Sequence, residues 1–212
     1  MPRYNKNKQY FIENVEELLS TVGHLRPYLR VYDEKDVMLF NSRFEDDAKI
    51  LSNFHDSSVP LPWRGKTFSS VEAMIFYAFI EDNCNNPKWE DEKKEVLEAL
   101  TKVARGNRVK EVKDKLYKKV RNAYVKKYGE ENWDLYAWRV SSEAIKVKYD
   151  HCPEFRELVD ANKDKQFAEY QSFNNRVPKA GVKKITDEKS PYCGKYIGCN
   201  FTGISIQRCV AK

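Results

Sequence analysis

Glu72 is the residue of this 212-residue chain that most invites a chemical reading. It stands early in a run that is otherwise apolar nearly all round: Val71, Ala73, Met74, Ile75, Phe76, Tyr77, Ala78, Phe79 and Ile80. A carboxylate on the first turn of such a helix is pulled two ways. Burial disfavours its charge and raises its pKa, while the free N–H groups of the turn favour the charge. A cap or a surface ion pair is one reading; a carboxylate held beside a pocket is the other.

Other constellations are weaker. Cys193, Cys199 and Cys209 lie near one another without CxxC spacing, and His24, His55 and His151 are far apart, so no metal site is expected. His151 and Cys152 are neighbours in sequence, but such neighbours often point apart. There is no Walker loop and no GxGxxG, and no cofactor is expected. With Cys84 and Cys152 the cysteines number five, an odd and scattered set. That fits reduced thiols in a cytoplasmic, reducing compartment better than a secreted disulfide framework.

The elements that must position Glu72 can be read from spacing. Ser69 or Ser70 can cap a helix from Val71 to about Glu81, and a helix apolar on all sides belongs in the core. Residues 10–22 suggest a short amphipathic helix behind a loose 1–9, and Val37–Phe40 a strand. Pro60 and Pro62 exclude a helix, and Gly65–Phe68 reads as a turn and short strand. Residues 88–104 and 109–128 read as two amphipathic helices, the second ending at Gly129. Asn132 is a candidate cap for the next helix, and Pro153 opens another. Residues 174–195 are polar and loop-like, and Gly198–Gln207 reads as a glycine-punctuated turn into a short element.

Composition sets the class. Hydrophobic residues make up 41% and aromatics 13%, too many for a disordered chain. No apolar run approaches the ~20 residues of a membrane span, and the polar start suggests no signal peptide. The net charge of +6 is concentrated: residues 102–127 hold eleven Lys/Arg against Glu111 and Asp114. Lys110, Lys113, Lys118 and Arg121 should face solvent if Val109, Val112, Leu116 and Val120 face inward. That face is either a phosphate or nucleic-acid footprint or an ordinary solvated helix.

Three segments, in order, carry a family resemblance. The first is Leu51-Ser52-Asn53-Phe54 followed by Gly65-Lys66-Thr67-Phe68-Ser69-Ser70-Val71-Glu72. The second is Asn132-Trp133-Asp134, then Ala144–Tyr149 and Glu154–Leu158. The third is Gly198-x-Asn200-x-x-Gly203. Together they resemble the NADAR (YbiA-like) family over most of residues 37–208. The resemblance implies one α+β domain over 1–212, mainly helical with a small β-sheet, with an enlarged basic helical segment at about 88–128.

It further implies an N-glycosidase that acts on a ribose, either on ADP-ribose attached to guanine in nucleic acid or on a damaged riboflavin-pathway intermediate. Breaking a ribose C–N bond builds positive charge on the sugar, so a carboxylate near the anomeric carbon can stabilise it or activate water. On this reading Glu72 and Lys66 are the catalytic candidates. Asn53, Phe54, Ser70, Trp133, Lys148, Gly194 and Asn200 are candidates for binding, with Asn53 on a ribose hydroxyl and Phe54 or Trp133 stacked on a base. Lys66 and Lys148 could meet phosphate, or attack an opened sugar if unprotonated. The partner would be an ADP-ribose-like nucleotide or ADP-ribosylated nucleic acid.

Two departures bear on the reaction. Where the family has a His and a Gln-Ala-x-Lys segment after the Glu, this chain has Ala73 and Phe76-Tyr77-Ala78-Phe79. The family's Trp-Gly-x-Gly element stands here as Tyr192-Cys193-Gly194-Lys195, without its acidic companion. A protein that binds an ADP-ribose-like nucleotide without cleaving it is therefore a second expectation.

Overall fold

The computed structural model describes residue 15 and residues 19–20, 22–103, 108–114, 116–171 and 179–211. Most of the expected 10–22 helix, and the loose 1–9, lie outside the described residues.

Helix α1 (Val71–Asn83) is the centre of the molecule. Ser70, in extended backbone, accepts from the Ala73 N–H at 3.3 Å and so satisfies one free donor of the first turn. All apolar residues from Val71 to Ile80 are buried, because α1 is packed from several sides: by α2 (Glu90–Lys102), α4 (Tyr117–Tyr128) and α5 (Glu130–His151). The chain is α+β and mainly helical around this core.

The expected single helix over 109–128 is two: α3 (Val109–Lys113) and α4, separated by a turn. Leu116 lies in that turn, fully buried, and Val109 and Val120 are buried on either side of it. Breaking the helix lets all three reach the core. Gly129, at φ +90°, both stops α4 and precedes α5, a backbone angle that side chains resist. Helix α5 therefore begins at Glu130 and not at Asn132, whose amide donates to the Tyr128 carbonyl at 2.6 Å. Pro153 opens α6 (Pro153–Ala161) and the chain ends in α7 (Phe201–Val210).

The small β-structure expected is divided, among the described residues, into three short sheets. Strands β3 (Leu61–Trp63) and β4 (Lys66–Phe68) form a hairpin whose two turn residues, Arg64 and Gly65, have φ +50° and +69°. Strand β1 (Arg30–Tyr32) pairs antiparallel with β7 (Tyr196–Gly198), which also pairs with β6 (Lys183–Lys184). The expected loop over 174–195 thus contains a short strand. Strand β2 (Val37–Phe40) pairs in parallel with β5 (Gln166–Glu169), register Phe40 to Glu169.

Glycines make the junction of β5, β6, β7 and α7 possible. A Cβ on Gly181 would stand 1.9 Å from the Glu169 carbonyl oxygen, and one on Gly203 would stand 2.0 Å from that of Phe167. The end of β5 is gripped this closely by the C-terminal elements, and there the chemistry collects.

Candidate functional site

Glu72 sits half-buried on the first turn of α1. Its backbone N–H donates to the Asn53 carbonyl at 2.9 Å, which pins the Ser52–Phe54 segment against the helix start. Asn53 is buried, and its side-chain Oδ1 has no hydrogen-bond partner among the described residues. The Glu72 carboxyl is pushed up to about 8, first by desolvation and then by the nearby charge of Glu169; Lys113 and Lys110 pull it back. Asn53, Phe54, Lys110 and Lys113 gather around this half-buried carboxyl and form the recess.

Glu169, at the end of β5, is buried, and its charge acts on Glu72. Burial raises its pKa, while hydrogen bonds from the Thr202 hydroxyl (3.0 Å) and the Gln171 side chain favour its charge. Two desolvated carboxyls that feel each other do not both ionise readily. Of the two, Glu169 is the one with side-chain hydrogen bonds that favour a carboxylate.

Asn200 explains the Gly-x-Asn-x-x-Gly element. It is buried, in left-handed backbone at φ +52°, and heads α7. Its amide nitrogen donates to the Phe167 carbonyl (2.8 Å) and the Tyr32 hydroxyl (3.1 Å), and its Oδ1 accepts from the Glu169 N–H at 3.4 Å. Asn200 therefore fixes β5, and with it Glu169. Gly203 is needed because a Cβ there would press on the Asn200 side chain at 2.5 Å as well as on β5.

Cations and rings complete the recess. Lys110 Nζ lies 4.8 Å from the centre of the Phe54 ring. Lys113 Nζ lies 4.6 Å from Phe76 and 5.0 Å from Tyr117, and binds Asp114 at 2.7 Å. Tyr117, whose hydroxyl is pushed up mainly by burial, also feels the Glu72 charge and accepts from the Trp133 indole. Lys113 is thus half-buried and turned toward the recess, and Arg121 is half-buried against Glu130; Lys110 and Lys118 are exposed.

The structure brings together Glu72, Asn53 and Phe54, with Ser70 and Trp133 behind them. Ser70 is occupied as the helix cap, and buried Trp133 packs on Phe79 (5.1 Å) and Tyr124 (5.2 Å). Lys66 stands apart, exposed on the β3–β4 hairpin. Lys148 is buried, with Nζ donating to the carbonyls of Ile50 (2.7 Å) and Ser52 (3.2 Å), and burial lowers its pKa to about 8. It anchors the segment that carries Asn53. Gly194, at φ +83°, is in the turn before β7, its N–H bonded to the Ile185 carbonyl.

Sequence reasoning missed Glu169 and Tyr117. Glu169 ends a strand too short to show alternation, and only its parallel pairing with β2 aims it at α1. Tyr117 was one tyrosine among 13. Its place at the α3–α4 break was the available signal.

No family model and no curated protein sequence matches the chain. Among solved structures, the NMR structure of the E. coli protein YbiA matches with a TM-score of 0.50 and 17% identity, covering 82% of this chain and 82% of that one. The chain has a YbiA-like fold. The correspondence over four-fifths of both chains is one of architecture, and it agrees with the α+β class expected from the three sequence segments. No described helix is long and apolar enough to cross a membrane. Among the described residues no cluster of three or more His, Cys, Asp or Glu could hold a metal ion.

Proposed function

We propose that this chain is an NADAR-type N-glycosidase that hydrolyses the bond between a ribose and a base, with ADP-ribose attached to guanine in nucleic acid as the substrate class. The observation that carries this reading is the Glu72–Glu169 pair, two desolvated carboxyls that feel each other beside a recess bordered by lysines and a phenylalanine face. Glycosidic bonds are hydrolysed by such pairs. The protonated Glu72 donates to the leaving base nitrogen as the C1′–N bond breaks. The ionised Glu169 stabilises the positive charge growing on the ribose and takes a proton from the water whose oxygen bonds to C1′. Glu169 then holds a proton and Glu72 has lost one, so a proton passing between them restores the pair. Lys110 and Lys113 supply positive charge for phosphate, and Phe54 a ring for stacking.

Hydrolysis is favoured over binding alone for a specific reason. The apolar residues that follow Glu72 are core packing, with Ala73 and Ala78 fully buried and Phe76 and Phe79 nearly so. The polar wall comes instead from β5, α3 and α4. The test is to incubate the protein with ADP-ribosylated DNA, free ADP-ribose conjugates and a riboflavin-pathway N-glycoside, and to follow released base and sugar by mass spectrometry. Release from the DNA or nucleotide substrate, lost in Glu72→Gln, supports the proposal. Release from the flavin precursor alone moves the activity to that class. Tight binding with no release from any substrate leaves a nucleotide-binding protein.

A further inference from the structure

A groove of about 640 Å³ lies at the far end of α1 from Glu72, between the C-terminal ends of α1 and α4 and the middle of α5. Asp82 and Asn83, which line it, follow Glu72 by ten and eleven residues, so the two places are roughly 16 Å apart along the helix. Helix α4 runs the same way: Tyr117 at its start borders the recess, and Tyr124, Lys127 and Tyr128 at its end line the groove.

Its walls are aromatic and basic. Tyr124 stacks on Tyr136 with ring centres 5.7 Å apart, and Tyr128 joins Tyr124 at 4.8 Å. Tyr128 is 49% exposed, a large ring left open to solvent. Lys127 Nζ lies 4.7 Å from the Tyr128 ring centre, and the Arg139 guanidinium lies 5.6 Å from that of Tyr136. Three other cations of the basic segment sit in ion pairs: Lys113 with Asp114, Lys119 with Glu92 and Arg121 with Glu130. Lys127 and Arg139 have no carboxylate at ion-pair distance among the described residues. The one acid of the groove, Asp82, is held by Arg64 and the Tyr136 hydroxyl, and Arg139 acts on it only through space.

We propose that this groove is a second binding site, which takes a base and the adjoining phosphates of a single-stranded nucleic acid. Stacked rings flanked by unpaired cations are what such strands recognise, since every base has a face and every link a charge. The proposal deepens the reading of the Glu72 recess as a site for nucleic-acid-linked ribose and rests on it: a strand gripped here presents a nucleotide a short distance along the chain to that recess.

The test is fluorescence anisotropy with a labelled oligothymidylate of about twelve nucleotides, long enough for a typical site. Tyr128→Ala should weaken binding about 5- to 100-fold, and Tyr128→Phe, which keeps the ring, should restore most of it. Lys127→Ala and Arg139→Ala should each weaken binding and make the log–log salt slope shallower by about 0.7. Lys94→Ala, an exposed lysine of α2, should change neither. Circular dichroism checks that each variant is folded. No binding by the unaltered protein at low salt would overturn the proposal, as would equal losses from Lys94→Ala and the groove variants. Binding unaffected by Tyr128→Ala would overturn it too. Anisotropy needs no turnover, so a protein that binds through the groove yet cleaves nothing would end the glycosidase reading and leave this one standing.

Discussion

Replacing Glu72 by Gln should raise stability and lower turnover together, with a pH signature that separates the two. Gln resembles the protonated carboxyl in shape and polarity but never ionises. In the folded protein the Glu72 pKa is about 8, against 4.5 for the free side chain, because desolvation and Glu169 oppose its charge. A carboxyl raised on folding contributes its stability fully below the unfolded pKa and loses it as pH rises through the folded one. The Glu72→Gln and unaltered proteins should therefore be equally stable near pH 4.5 and diverge above it, the variant becoming the more stable. The limiting slope is about 1.4 kcal/mol per pH unit, and solvent access together with Lys110 and Lys113 reduces the gain at pH 7 to about 1–3 kcal/mol. For a chain of this size each kcal/mol moves Tm by about 2–4 °C. Thermal unfolding from pH 4.5 to 9 measures the difference directly. A difference that does not change with pH would refute a desolvated Glu72. Turnover, measured on whichever substrate is cleaved, should fall about 10²- to 10⁴-fold, and unchanged turnover would refute its role as the acid.

Other consequences are as direct. If Glu72 gives its proton to the leaving base, kcat should fall as pH rises through about 8, and a rate flat from pH 7 to 9.5 would assign the acid elsewhere. Asn200→Ala orphans the Phe167 carbonyl and the Glu169 N–H and strains a left-handed position, so denaturant melts should show a loss of about 2–4 kcal/mol. A loss under about 0.5 kcal/mol would mean that β5 is not held by Asn200. Gly203→Ala drives a Cβ toward the Phe167 oxygen, and it should cost about 1–3 kcal/mol or more and lower turnover by moving Glu169. Lys148→Met leaves the Ile50 and Ser52 carbonyls without their donor, so it should raise KM through the Asn53 segment; an unchanged KM would reduce Lys148 to core packing.

The sequence by itself carried the local decisions. A serine before a run that is apolar but for Glu72 specified both the cap and the burial of α1, because a free oxygen and the absence of a polar face leave few alternatives. Gly129 and Pro153 punctuated helices where backbone freedom and restriction require it. The three motif segments were legible, yet much of what they encode is structural. Asn200 and Gly203 clamp β5, and Lys148 ties down a loop, tasks that need fixed residue types at fixed spacing just as catalysis does.

Tertiary structure decided the rest. Glu169 meets Glu72 only because β5 pairs in parallel with β2, a long-range choice that no local pattern records. Lys113 turns toward the recess because the chain breaks at Leu116 to bury it, which converts part of a basic face into the wall of a site. The raised proton affinity of Glu72 is likewise a property of the fold. A glutamate in sequence is an ordinary acid, and only packing brings the desolvation and the Glu169 charge that oppose its ionisation.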